Sequence, residues 1–184
     1  AVLRVSAKAL SGADTEALVA APGTGNARFL RTALEELRQH GDHFTLRRRI
    51  DELAGAATVE ALFELVLARW ERDYDRDRPG LVRDAMTALW AAHDGLGEAE
   101  LLELLSPADG HLPSRQWSPL ALAAEHCIHD RDGLLGFVHP DIRAAVERRY
   151  LGSPEAERAA HAALTSYFRR QPLGPRQADG DGVG

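Results

Sequence analysis

Between Ile128 and Val138 the pattern of this chain changes from helical to extended, and that change limits the folds open to it. The run Ile128-His129-Asp130-Arg131-Asp132-Gly133-Leu134-Leu135-Gly136-Phe137-Val138 reads as two short strands around a turn that contains Asp-Gly. Almost everything before it repeats apolar residues at helical spacing. Phe29, Leu30, Ala33, Leu34 and Leu37 predict a helix with Asn26 at its N-cap and Gly41 at its end. A basic helix, Thr45 to Leu53, follows. Thr58 then heads a helix whose stripe Val59, Leu62, Phe63, Val66, Leu67 and Trp70 ends in the charged run Glu71 to Arg78.

Pro79 is expected to open a second unit, because proline suits the first turn of a helix and the charged stretch before it is solvated. Leu81, Val82, Ala85, Met86, Leu89 and Trp90 form one amphipathic helix, Glu98 to Leu105 a second and Trp117 to Cys127 a third. Three helices followed by a hairpin is the order of a winged helix. Helices from Pro140 to Tyr150 and from Pro154 to Arg170, the latter capped by Ser153, complete the folded part. The expected fold is mainly α, a helical bundle followed by a winged-helix domain with a small β-hairpin. Its divisions are 1–12, an opening strand Val2 to Ser6 and linker; 13–78, the bundle; 79–170, the winged helix and final helices; and 171–184, a Gly/Pro/Asp-rich tail. A lone strand is unstable in water, so the chain reads as part of something larger. It contains no internal repeat.

Charge and cysteine content narrow the function. A formal net charge of -6 over 184 residues gives no general attraction for nucleic acid or anionic lipid. The one cysteine, Cys127, allows no internal disulfide, and no apolar run reaches the roughly 20 residues a bilayer span needs, so the expected location is the cytoplasm, with no membrane partner. The third helix before the hairpin is mostly apolar and carries Glu125 where a groove-reading helix would offer Arg, Lys, Asn or Gln, which disfavours a DNA-binding regulator.

Catalytic patterns fail one by one. Ala21-Pro22-Gly23-Thr24-Gly25-Asn26-Ala27 resembles a phosphate loop but has Asn26 and Ala27 where the lysine and hydroxyl residue belong, so nucleotide hydrolysis by this chain is not expected. His126, Cys127, His129, Asp130, Asp132 and His139 lack metal-site spacing. Glu35 and Glu36 are read together as a solvated helix face paired with Arg31 and Arg38. The segment Phe137-Val138-His139-Pro140-Asp141-Ile142-Arg143 does carry a binding signature. Pro140 begins a helix, His139 takes its N-cap, and the free N–H groups and helix dipole there favour an anion.

Gly25-Asn26-Ala27-Arg28-Phe29-Leu30-Arg31-Thr32-Ala33-Leu34-Glu35-Glu36-Leu37-Arg38 resembles the lid helix of STAND ATPases of the NACHT branch, the nephrocystin-like and telomerase-associated proteins. The Val59 to Leu67 stretch, Leu89-Trp90-Ala91, Leu101 to Leu105 and the Phe137 to Arg143 element resemble the same branch over roughly Val2 to Gln171. This resemblance implies a regulatory lid and winged-helix region that clasps ADP when closed and releases it on exchange for ATP, permitting oligomerisation. It implies nucleotide contacts from His139, Asn26 and Ala27, the last standing where relatives carry proline. ADP or ATP, with Mg, would then be held only with the ATPase core of the same protein, the expected partner alongside self-association. The alternatives are the DNA-binding regulator and a helical protein-interaction module that presents an apolar face around Trp70 and Trp90.

Overall fold

The computed structural model describes residues 10–42, 44–107 and 110–170. The expected strand Val2 to Ser6 and the tail from Gln171 lie outside them. Among the described residues the fold is mainly helical with a small three-stranded antiparallel sheet. The helices are α1 (Gly12–Val19), α2 (Ala27–Gln39), α3 (Leu46–Ala54), α4 (Val59–Tyr74), α5 (Leu81–Ala91), α6 (Glu98–Leu105), α7 (Ser114–Ala124), α8 (Pro140–Tyr150) and α9 (Pro154–Arg170). The strands are β1 (Leu96–Gly97), β2 (Ile128–Arg131) and β3 (Leu134–Phe137), in the order β1-β3-β2.

Local chemistry sets most helix starts. Asn26 accepts a hydrogen bond from the Arg28 N–H at 2.9 Å, Thr58 from Ala61 at 3.2 Å and Ser153 from Ala156 at 3.2 Å, each satisfying a donor the helix leaves open. Pro79 does not begin α5. Gly80 caps it in the left-handed region, φ 80°, and the Asp75 carboxylate accepts the N–H groups of Gly80 at 3.1 Å and Val82 at 3.0 Å. The carboxylate of the preceding charged run thus does the capping that the proline was expected to make unnecessary. Helix α7 starts at Ser114, three residues before Trp117, and carries Pro119 inside it, in the second turn, where the proline removes one backbone hydrogen bond.

The hairpin forms where the change of pattern places it. Asp132 and Gly133 both have positive φ, 55° and 84°, and the Asp130 side chain accepts the Gly133 N–H at 2.8 Å. Strand β1 is an addition, pairing Leu96 with Leu135 and Gly97 with Leu134. Gly95, at φ 101°, allows that approach, because a Cβ there would stand 2.9 Å from the Leu134 Cβ.

One continuous core of buried side chains runs from Leu18 to Leu151 and crosses Pro79 without a break. Phe29, Ile50, Leu62, Trp70, Met86 and Leu101 are among its fully buried members, each contributing about 1.5 to 3 kcal/mol of burial. Helix α4 lies along α8, so the helices before Pro79 and those after the hairpin share apolar surface. The apolar face around Trp70 and Trp90 is therefore spent on folding. Trp70 is fully buried; Trp90 lies between the Arg143 guanidinium, 4.9 Å from its ring, and the His161 ring at 5.1 Å, with its Nε1–H toward Glu147 at 3.3 Å.

Candidate functional site

Three places hold the side chains a function could use. The first is where α2 and α8 begin. Asn26 spends its side-chain oxygen on capping, Ala27 is the first residue of α2, and His139 caps α8 through its extended backbone alone, without a side-chain cap bond. An ion pair between Arg28 and Asp141 ties these two helix starts together. The structure thus brings the starts of α2 and α8, which carry the Asn26-Ala27 and His139 segments, near each other. The charged groups there are matched to each other, and Arg28 and Asp141 are both partly exposed.

One of the two glycines before α2, Gly23, has a packing reason. Residues Pro22–Gly25 form a 3₁₀ turn, and a Cβ at Gly23 would lie 2.3 Å from the ring of Phe29. Position 23 is glycine because an aromatic ring presses on the backbone, a demand unrelated to phosphate; a Cβ at Gly25 would meet nothing within 4 Å.

The second place is internal. Glu36 is fully buried, which corrects its expected position on a solvated face; only Glu35 behaves as expected, accepting from Arg38 at 2.7 Å. The carboxylate of Glu36 accepts from Arg69 through Nε at 2.7 Å and a terminal nitrogen at 2.9 Å, and from Arg49 at 2.8 Å. Burial alone would pull the Arg69 guanidinium down, and its bonds to Glu36 reverse this, holding its pKa above the usual range. Two arginines on one buried carboxylate join α2, α3 and α4, and their outer donors reach Glu52 and Asp73. The spacing 29, 33, 36 and 37 puts Glu36 on the inward stripe of α2 with Phe29, Ala33 and Leu37, a signal the sequence did contain.

The third place is the outward face of the hairpin. Alternation sends Leu135 and Phe137 against the core and leaves Leu134 and Val138 exposed, at 42% and 40%. Leu134 lies across from Arg131 and Gly136 from His129. Glycine at 136 leaves room for the imidazole, whose Cε1 would be 3.4 Å from a Cβ at that position. Two exposed aliphatic side chains flanked by an imidazole and a guanidinium form a small amphipathic patch. Helix α7 by contrast buries Trp117, Leu120, Ala123 and Ala124; its first turn carries Arg115 and Gln116, while the rest of its outward face is Ser118, Pro119 and Leu122, followed by the acidic C-cap Glu125, which offers little to bases or phosphates.

No helix among the described residues is long and apolar enough to cross a membrane. No group of three or more His, Cys, Asp or Glu side chains among them could hold a metal ion.

No protein-family model matches the chain, and no solved structure matches it. Curated relatives do. The chain is 31% identical over 168 residues to a TPR repeat-containing protein of Dictyostelium discoideum, covering 91% of this chain and 10% of that protein. It is 28% identical over 180 residues to tetratricopeptide repeat protein 41 of Rattus norvegicus, with 79% of this chain and 14% of the relative covered. The corresponding Mus musculus protein is 29% identical, with 79% and 13% covered. The chain thus spans between 10% and 14% of the length of these relatives. Their names overturn the expected membership of the NACHT branch of STAND ATPases, and with it the ADP-clasping nucleotide switch: these relatives are tetratricopeptide repeat proteins. The motif resemblance rested on Leu/Glu-rich helices and a histidine before a helix, and buried packing and a backbone cap account for those features in this fold.

Proposed function

We propose that this chain is a non-enzymatic helical module for protein–protein interaction, and that the outward face of the hairpin is where it meets its partner. Relatives named for tetratricopeptide repeats support the class of function. The observation that carries the choice of surface is the pair Leu134 and Val138, aliphatic side chains left exposed on β3 and just after its end, while Leu135 and Phe137 of the same strand pack against the core. Such a patch loses water readily, and His129 and Arg131 add directed polar contacts at its rim. The order α5, β1, α6, α7, β2, β3, with the sheet order β1-β3-β2, supports taking residues 81–138 as a winged helix that presents this hairpin as its wing.

The test is site-specific photo-crosslinking in the full-length protein within its own cell. A photoreactive residue at Leu134 or Val138 is expected to give discrete crosslinks to another protein, and one at Glu155, an exposed position on α9, is not. Equal crosslinking from both faces, or none from the hairpin, overturns the assignment.

A further inference from the structure

His126 occupies the joint where the turn after α7 meets α2 and α4. Its ring stands edge-on to Trp70, with centroids 6.4 Å apart. Both ring nitrogens are buried and have no hydrogen-bond partner among the described residues, and the same holds for the Trp70 Nε1. The joint is otherwise closed by the Gln39 amide, which donates to the Ala123 carbonyl at 3.1 Å, and by Arg38, which donates to Glu125 at 3.2 Å.

The charged groups that face this ring are Glu35 and Glu36 from α2, Arg69 from α4, and Glu125 beside it in the chain; the Cys127 thiol, also buried, follows it. Each carboxylate is already engaged. Glu36 is held by Arg49 and Arg69, while Arg38 holds both Glu35 and Glu125. An imidazolium here would find no acceptor for its second proton among the described residues and would face the Arg69 guanidinium as a like charge.

We propose that His126 is an acid-sensitive latch: neutral, it packs against Trp70 and seals the joint; protonated, it leaves and lifts the turn between α7 and β2 away from α2 and α4. Burial, with Arg69 acting in the same direction, holds the imidazole below its ordinary value despite the pull of Glu36, Glu35 and Glu125. A base whose pKa is depressed by folding stabilises the closed state fully above the unfolded value of about 6.5 and loses that contribution as pH falls through the folded value. Within that window the ratio of closed to open joint falls by up to about tenfold per pH unit.

Cys127 is the one thiol in the chain and reports the opening directly. Its reaction with 4,4′-dithiodipyridine is measured from pH 7.5 to 5, normalised at each pH to the chain unfolded in guanidinium chloride. Protection of Cys127 should fall steeply with acid in the wild type and stay flat in His126→Phe, which keeps an aromatic ring against Trp70 and removes the titration. Parallel profiles in the two proteins, or a flat wild-type profile, overturn the proposal. If His126→Phe does not fold, the wild-type His126 ring is titrated by NMR. A midpoint below about 6.5 supports the latch, and one at or above it sinks the idea.

Discussion

Arg69 grips both oxygens of Glu36 across 33 residues of sequence, through Nε at 2.7 Å and a terminal nitrogen at 2.9 Å, inside a largely apolar core. The pair fixes the rotation of α2 against α4, and Arg49 brings α3 to the same carboxylate. Such a cluster gives weak net stability but strong consequences when one member is removed.

Glu36→Ala leaves two buried guanidinium groups facing each other, and we expect a loss of about 3 to 5 kcal/mol. Replacing Glu36, Arg49 and Arg69 together with methionine should cost far less, because no buried charge is then left alone. Urea denaturation of the single and triple variants checks this ordering.

Gly23→Ala places a methyl group against the Phe29 ring, where a Cβ would approach to 2.3 Å. Overpacking of this kind costs about 1 to 3 kcal/mol. Trimming the ring in the double variant Gly23→Ala, Phe29→Leu should recover part of the clash term, read as non-additivity in thermal melts.

The Glu71 carboxyl is held below the usual carboxylate range, first by its hydrogen bond from Arg149, with the Tyr150 hydroxyl donating as well at 2.7 Å. A carboxylate depressed by folding contributes stability above its unfolded pKa of about 4.3 and loses it as pH falls through the folded value. Denaturation midpoints measured from pH 6 to 3 should therefore drop less steeply for Glu71→Gln than for the wild type.

Much of the fold was legible in the residues. Helices α6, α8 and α9 begin and end where Glu98, Leu105, Pro140, Tyr150, Pro154 and Arg170 were expected to place them, because caps and apolar spacing are local signals. Strand β1 was not legible, since it is two residues long and its partner β3 lies far along the chain. Non-local pairing decides it. Glu36 and the two tryptophans were misplaced for one shared reason: residue type was given more weight than register. A glutamate on the inward stripe of α2 is expected from its type to be solvated, and the alternative of a partner face around two large rings sets aside the inward stripes on which they lie. His139 was placed correctly at the α8 cap, and the Arg28–Asp141 pair that joins its helix to α2 depended on tertiary proximity no spacing could reveal.

The interaction surface itself is tested most directly by charge substitution. Using the partner captured at the hairpin, its dissociation constant is measured for the wild type and for Leu134→Asp, Val138→Asp, with circular dichroism confirming that the variant folds. Loss of two aliphatic contacts and the burial of two carboxylates should weaken binding by more than about tenfold, equivalent to 1.4 kcal/mol. A folded variant that binds as tightly as the wild type contradicts the account.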